Sequence, residues 1–158
     1  MDLPKRKPTR LKGYDYSQNG CYFITICTKD RKEILSEIII VGEGLRALPN
    51  NKLTSIGKCV EDSILFVNKT YDGVTIDKYV IMPNHIHMLV TLTGGHGNPP
   101  LQNIVGQIKS FTVNKFKQDI WQRSFHDHII RHENDYNEIW EYIDTNVLKW
   151  EKDCFYSK

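Results

Sequence analysis

Two histidines one residue apart, His85 and His87, stand in the apolar stretch PNHIHMLV at residues 83–90. In a β-strand, residues i and i+2 project from the same face, so both imidazoles point one way while Ile86 and Met88 point the other. Two imidazoles at this spacing can bind one metal ion, but the site needs further ligands and the pair does not identify the metal. The alternative is two polar side chains on a solvent-facing strand surface.

A second pair, His126 and His128, occurs in SFHDHIIR and shares one face if the segment is extended. Its neighbours Arg123, Asp127 and Arg131 make this segment polar rather than an apolar strand. This composition favours a hydrogen-bonded loop or a contact with phosphate over a metal site.

The last predicted helix carries Tyr142 and Asn146, four residues apart and therefore on one helical face. Both fall beside the apolar stripe of that helix, at an edge from which a side chain can reach toward a sheet. An asparagine oxygen can bind a hard metal ion, and a tyrosine phenol can act as a covalent nucleophile. A tyrosine at a helix edge is, however, more often a packed ring with a hydrated hydroxyl group.

Three stretches in this order, YVIMPNHIHMLV, WQRSFHDHIIRHENDY and YIDTN, resemble the HUH-type single-tyrosine transposases. The resemblance is greatest to the REP-associated tyrosine transposase branch. RLKGYDYSQNGCYFITICTKDR near the N-terminus and LKWEKD near the C-terminus extend it over nearly the whole chain. The resemblance implies an α+β fold of the HUH endonuclease type, with a ferredoxin-like, mainly antiparallel sheet and helices packed on it.

Position by position, the resemblance implies a role for each candidate residue. His85 and His87 match the histidines of the HUH motif, Tyr142 matches the nucleophile, and Asn146 matches the residue that completes the metal site. The implied cofactor is a divalent metal ion, Mg²⁺ or Mn²⁺. The chain departs from the branch at Val147, where members commonly have proline, and valine continues a helix more easily.

The implied enzyme is a metal-dependent transposase that cleaves single-stranded DNA and transfers the strand through a 5′-phosphotyrosine. Its partner would be single-stranded DNA, in a hairpin or beside a repeat, and the resemblance leaves open whether it acts as a homodimer or alone. One alternative is a domesticated DNA-binding or regulatory protein of the same fold that does not cleave. Others are a metal-dependent hydrolase and, more remotely, an RNA-binding module.

Basic side chains supply candidate contacts to DNA phosphates. The set comprises Lys5, Arg6, Lys7, Arg10, Lys12, Lys109, Lys115, Arg123, His128 and Arg131. A free tyrosine has a pKa of about 10, so a base must take the phenol proton of Tyr142. Glu138, four residues earlier, is a weak candidate for that base.

Composition is that of an ordinary globular protein: 158 residues, 40% hydrophobic, 25% charged, with a net charge of +2. We expect one transposase-like catalytic domain over residues 1–158, with residues 1–12 as a basic arm. The sequence has no apolar run near the roughly 20 residues that span a bilayer and no secretory signal, so we expect a soluble, cytoplasmic protein. Four cysteines without CxxC spacing exclude zinc-ribbon and thioredoxin sites.

The elements that must position these residues follow from periodicity. We predict strands at 20–28 and 33–41, a loop at 42–51, and a β-hairpin at 74–93. Residues 121–131 are predicted to be a strand or an extended loop. Helices are predicted near 54–67, 101–116 and 134–149.

Overall fold

The computed structural model describes residues 10–156 and combines β-strands with α-helices. The strands are β1 (Gly20–Cys27), β2 (Ser36–Val41), β3 (Leu48–Leu53), β4 (Val74–Ile81), β5 (His85–Leu92) and β6 (His126–Ile130). The helices are α1 (Ser55–Thr70), α2 (Leu101–Phe116) and α3 (Glu133–Thr145). Four strands form an antiparallel sheet in the order β4-β5-β1-β6, and β2 pairs with β3 alone. The predicted α+β class, a mainly antiparallel sheet with helices packed on it, is confirmed.

Strand register brings both histidine pairs to the same face of the sheet. His87 on β5 lies opposite Thr25 on β1, and His126 on β6 lies opposite the same threonine from the other side. Because side chains alternate along each strand, His85 and His128 project from this face as well. We call it the histidine face.

The opposite face of the sheet is apolar and covered by two helices. Ile86, Met88 and Val90 of β5 are fully buried there. From α1 the buried side chains are Cys59, Val60, Ser63, Ile64 and Val67, and from α2 they are Leu101, Ile104, Val105, Ile108 and Thr112. The helical periodicity predicted for both helices is confirmed, and the resulting core leaves the histidine face for function.

Helix α3 packs on the histidine face, where it contacts β4, β5 and β6. The prediction that it buries a continuous apolar stripe was wrong. That stripe was Tyr136, Ile139, Trp140, Ile143 and Val147, of which only Ile143 is buried, and Trp140 is 37% exposed. Helix α3 contacts the strands β4, β5 and β6 and the 3-10 helix Val147–Lys152, and the side chains that flank these contacts remain open to solvent.

Helix α3 also ends earlier than the predicted residue 149. Its last residue is Thr145, and a separate 3-10 helix, Val147–Lys152, follows. Asn146 lies at the junction between the two helices, with helical backbone angles. Among the described residues, no helix is long and apolar enough to cross a membrane.

Strand β3 was missed because residues 42–51 were predicted to be a loop. Pro49, Asn50 and Asn51 are poor strand formers, yet they pair with β2 in an antiparallel hairpin outside the main sheet. The side-chain amide of Asn51 donates a hydrogen bond to the carbonyl oxygen of Ile81 at 2.7 Å. Tertiary contacts of this kind override the local propensity.

Ile86 stands between the two site histidines but points into the core, where it is fully buried. Replacing it by alanine should lower the free energy of unfolding by about 2–5 kcal/mol, because the cavity cannot close completely. Leu45→Ala, at a fully exposed position, should change it by less than about 0.5 kcal/mol. Urea denaturation measures both, and equal values would contradict the assignment of faces.

Candidate active site

His85 is fully buried at the start of β5, and its ring is fixed by Asn84. The amide nitrogen of Asn84 donates to the carbonyl oxygens of Phe155 and Arg31, at 2.8 and 3.4 Å. Since carbonyl oxygens only accept hydrogen bonds, the amide oxygen of Asn84 must face His85, whose Nδ1 lies 2.8 Å away. Nδ1 therefore carries the proton, and the Nε2 lone pair is buried without a partner among the described residues.

His87 is equally buried, with 1% of its surface exposed, and is held from two sides. Its Nδ1 lies 2.8 Å from the hydroxyl of Thr25, its neighbour across the β1–β5 pairing. Its Nε2 lies 3.3 Å from the hydroxyl of Tyr142 on α3. A hydroxyl group lies beside each ring nitrogen, and the tautomer in which Nδ1–H donates to Thr25 leaves Nε2 to accept from the phenol or to bind a metal ion.

Burial sets the charge of both imidazoles. It lowers the pKa of His85 to about 3, with a smaller contribution from the positive charge of Arg31. It lowers the pKa of His87 to about 3 as well, with a further lowering by His85. Both rings are thus neutral at physiological pH, which is the form that binds metal ions.

Tyr142 stands at the open side of the site, 37% exposed, so its hydroxyl can be reached from solvent. Its ring meets Phe23 edge to face, with 6.0 Å between centroids, and lies 5.2 Å from the His87 ring. Burial raises the pKa of the phenol, and the negative charge of Asp153 raises it further. The phenol is therefore protonated at neutral pH.

Asn146 is 1% exposed and lies one turn beyond Tyr142. Its amide nitrogen donates to Oδ2 of Asp153 at 3.1 Å, which directs its amide oxygen the other way. That oxygen is buried and has no hydrogen-bond partner among the described residues. A buried carbonyl oxygen without a partner is costly unless something else binds it.

The side chains around this point offer the donor atoms that a divalent cation needs. His85 and His87 present imidazole nitrogens, Asn146 presents an unpartnered amide oxygen, and Asp153 adds a carboxylate close to both histidines. Nitrogen and oxygen donors of this mixture suit Mn²⁺, and the oxygen donors suit Mg²⁺. The residues present therefore fit a divalent metal ion.

Comparisons with known proteins found two relatives in sequence and similar solved structures. No protein-family model matches the chain. An uncharacterized protein of Haemophilus influenzae is 34% identical, over 96% of this chain and 93% of its own length. A second Haemophilus influenzae relative, named "Putative REP-associated tyrosine transposase", is 28% identical over 85% of this chain and 74% of its own length.

A solved structure of a REP-associated tyrosine transposase bound to a REP hairpin has the same fold. It superposes with a TM-score of 0.65 at 22% identity, covering 95% of this chain and 74% of that one. In sequence and in fold, the chain is thus similar to REP-associated tyrosine transposases.

The residues predicted to act together lie together in the structure. His85, His87, Tyr142 and Asn146 meet where the centre of the sheet faces the C-terminal end of α3. The second pair lies elsewhere: His126 is exposed, and Nε2 of His128 lies 2.8 Å from the carboxylate of Asp135. The roles of these residues stay predictions.

The predicted phosphate contacts fall into separate groups. Lys5, Arg6 and Lys7 lie outside the described residues. Arg10, Lys12, His128 and Arg131 line one cavity of about 450 Å³ beside the edge strand β6. Within it, the guanidinium group of Arg10 also covers the ring of Phe125 at 4.3 Å. This cavity is the most basic part of the predicted set.

The remaining members of that set are dispersed. Lys109 donates to the backbone carbonyls of Gln122 and Ser124, at 2.8 and 3.1 Å, so its ammonium group already fastens a loop. Lys115 on α2 and Arg123 are exposed. All three stay predictions as DNA contacts.

Sequence reasoning missed the residues that orient the site. Thr25 and Asn84 hold the two imidazoles, and Asp153 lies beside them. Only Asn84 carried a local signal, because it directly precedes His85. Thr25 and Asp153 approach through strand pairing and a C-terminal turn, which spacing along the chain does not reveal.

Asn84→Ala should lower the free energy of unfolding by about 1–3 kcal/mol, because it leaves the buried Nδ1–H of His85 without its acceptor. It also removes the amide that ties Phe155 to the sheet. Asn50→Ala, at an exposed position, is the matched control. Urea denaturation of both variants measures the difference, and an unchanged Asn84→Ala would show that this network is not formed.

Proposed function

We propose that the protein cleaves and rejoins single-stranded DNA, with Tyr142 as the nucleophile and a divalent metal ion as the cofactor. The observation that carries this proposal is the 3.3 Å separation between the Tyr142 hydroxyl and Nε2 of His87. It puts an accessible nucleophile beside the atoms best suited to hold a cation. A tyrosine that served packing alone would not need to place its hydroxyl group beside these atoms.

The reaction is a transfer of one phosphodiester. The phenol oxygen of Tyr142 attacks the phosphorus, and the bond from phosphorus to the 3′ oxygen breaks. The phosphate becomes a 5′-phosphotyrosine ester, the leaving oxygen takes up a proton as a free 3′-OH, and the phenol proton passes to a base. One phosphate ester replaces another, so the 3′-OH of a second strand can reverse the step and complete strand transfer.

The metal ion would be held by His85, His87 and Asn146. When bound, it would neutralise a non-bridging phosphate oxygen and align the scissile bond. Thr25 and Asn84 hold the two imidazoles in position, and burial keeps both rings neutral, so the site is oriented before an ion arrives. Mg²⁺ and Mn²⁺ both satisfy this donor set.

The proton of Tyr142 is a barrier to attack, because burial raises the pKa of the phenol. The phenol oxygen lies 3.3 Å from Nε2 of His87, within hydrogen-bond distance. Glu138 is exposed on α3, and nothing in its surroundings supports a role as the base. The hydrogen bond to His87 supports a role in holding the phenol at the site before DNA binds.

The DNA partner is inferred from chemistry and from a relative. The structurally similar transposase was solved with a REP hairpin, and we propose hairpin DNA with a single-stranded extension as the substrate here. The basic cavity of Arg10, Lys12, His128 and Arg131 supports a phosphate contact beside β6. The exposed Tyr142 supports approach of the strand across the histidine face.

Tyr142→Phe should abolish the covalent adduct with a labelled DNA hairpin in Mn²⁺, because phenylalanine has no nucleophilic oxygen. Binding of the hairpin should be nearly unchanged. Tyr136→Phe is the matched control, since it removes a hydroxyl from the same helix that contacts Asp77 instead. Mass spectrometry detects the adduct and gel electrophoresis the cleavage.

The results of this experiment distinguish the proposed reaction from the alternative functions. Cleavage that survives Tyr142→Phe would point to a hydrolase that uses water. Hairpin binding without cleavage by the unaltered protein would point to a domesticated DNA-binding protein.

Replacing both His85 and His87 by alanine should remove metal-dependent cleavage, because it deletes two proposed ligands. The double variant His126→Ala with His128→Ala offers a matched control: the same residue types and spacing, on the same sheet face. We expect it to keep the chemical step and to lose at most hairpin affinity. Cleavage rates at saturating DNA measure this, and equal loss in both variants would contradict the assignment.

A further inference from the structure

Asp153 lies beside the two site histidines although it follows the 3-10 helix near the C-terminus. One ligand atom each from His85, His87 and Asp153 lies within 4.8 Å of the other two. Ions such as Mg²⁺ and Mn²⁺ bind at about 2.1 Å, so opposite ligands stand about 4.2 Å apart. Adjacent ligands of an octahedral ion stand only about 3.0 Å apart, so the three atoms would have to draw together by up to about 1.8 Å to bind one ion.

Two hydrogen bonds hold the carboxylate of Asp153 in place and leave some of its lone pairs free. The backbone N–H of Phe155 donates to Oδ1 at 2.8 Å, and the amide of Asn146 donates to Oδ2 at 3.1 Å. Since an ionised carboxylate has about four acceptor positions, neither bond uses up its oxygen. The second bond also orients Asn146, whose own amide oxygen remains buried without a partner.

In the part of the chain that the structure describes, Asp153 forms no ion pair within 4 Å, although the guanidinium group of Arg31 donates to the neighbouring carbonyl of Cys154 at 3.5 Å. Within residues 10–156, the ion pairs at 4 Å or closer are Arg10–Asp127, Lys29–Asp119, Lys78–Asp144 and His128–Asp135. The side chains that face Asp153 within the site are the buried rings of His85 and His87 and the buried amide of Asn146. A half-buried carboxylate in such surroundings is stabilised by a cation.

We propose that Asp153 is a ligand of the metal ion, in addition to His85, His87 and Asn146. This proposal rests on the proposed function, because it concerns the same metal ion. The donor set becomes two imidazole nitrogens, one amide oxygen and one anionic oxygen. The carboxylate raises the affinity for hard divalent cations well above that of two imidazoles and an amide.

The same ion would connect the C-terminal turn to the sheet. Phe155 follows Asp153 and stacks on the His85 ring at 4.4 Å between centroids, and its carbonyl accepts from Asn84. A bond from Asp153 to the ion would add a third connection between the turn and the sheet. Metal binding then stabilises this turn as well as the site.

The test is direct binding of Mn²⁺ to the full-length protein without DNA, with free Mn²⁺ measured by electron paramagnetic resonance. Asp153→Asn keeps the side-chain shape and one hydrogen-bond acceptor but removes the charge. It should weaken binding by about 10–100-fold. Asp144→Asn, which alters an exposed ion pair with Lys78, is the matched control and should bind as the unaltered protein does.

Two further measurements guard against a variant that fails to fold. Unfolding curves without metal should show Asp153→Asn folded, and Asp153→Glu should recover part of the affinity because it restores the carboxylate. The visible spectrum of bound Co²⁺ should differ between the unaltered protein and Asp153→Glu, which a purely structural aspartate would not cause.

Each outcome has a distinct meaning. Mn²⁺ affinity unchanged in Asp153→Asn but lost in His87→Ala would overturn the role of Asp153 and leave the proposed metal site intact. No saturable binding by the unaltered protein would overturn both. Binding that depends on Asp153, in a protein that never forms a DNA adduct, would support this ligand and overturn the proposed reaction.

Discussion

The burial of two neutral imidazoles in the centre of the sheet is the constraint on which the rest of the site depends. His85 and His87 are 0 and 1% exposed, so every polar atom on them needs a partner or costs free energy. Thr25 and Asn84 satisfy the two Nδ1 atoms. Nε2 of His85 is left buried without a partner among the described residues, and Nε2 of His87 lies 3.3 Å from the Tyr142 hydroxyl on α3. The chemistry of the site begins from these two nitrogens.

Asn84 connects three parts of the chain that are distant in sequence. Its side chain reaches His85, the loop at Arg31 and the C-terminal turn at Phe155. Because one planar amide makes all of these contacts, the orientation of the imidazole and the position of the turn are coupled. The site is therefore a property of the assembled fold rather than of β5 alone.

The sequence predicted those parts of the site that depend on local geometry. The shared face of His85 and His87 followed from strand alternation, and the pairing of Tyr142 with Asn146 followed from helical spacing. The strand at Leu48–Leu53 and the exposed flanks of α3 were not predicted, because partners distant in sequence decide them. Asp153 was missed for the same reason, since a turn rather than a periodic element positions it.

The contact between Tyr142 and His87 has a thermodynamic consequence. Nε2 of His87 has a single lone pair, which can accept the phenol proton or bind a cation, but not both. The two events therefore exclude one another, and by reciprocity each weakens the other by the same factor. A cation bound to this nitrogen would break the hydrogen bond between the phenol and His87. Metal binding and release of the Tyr142 hydroxyl would then be a single coupled equilibrium.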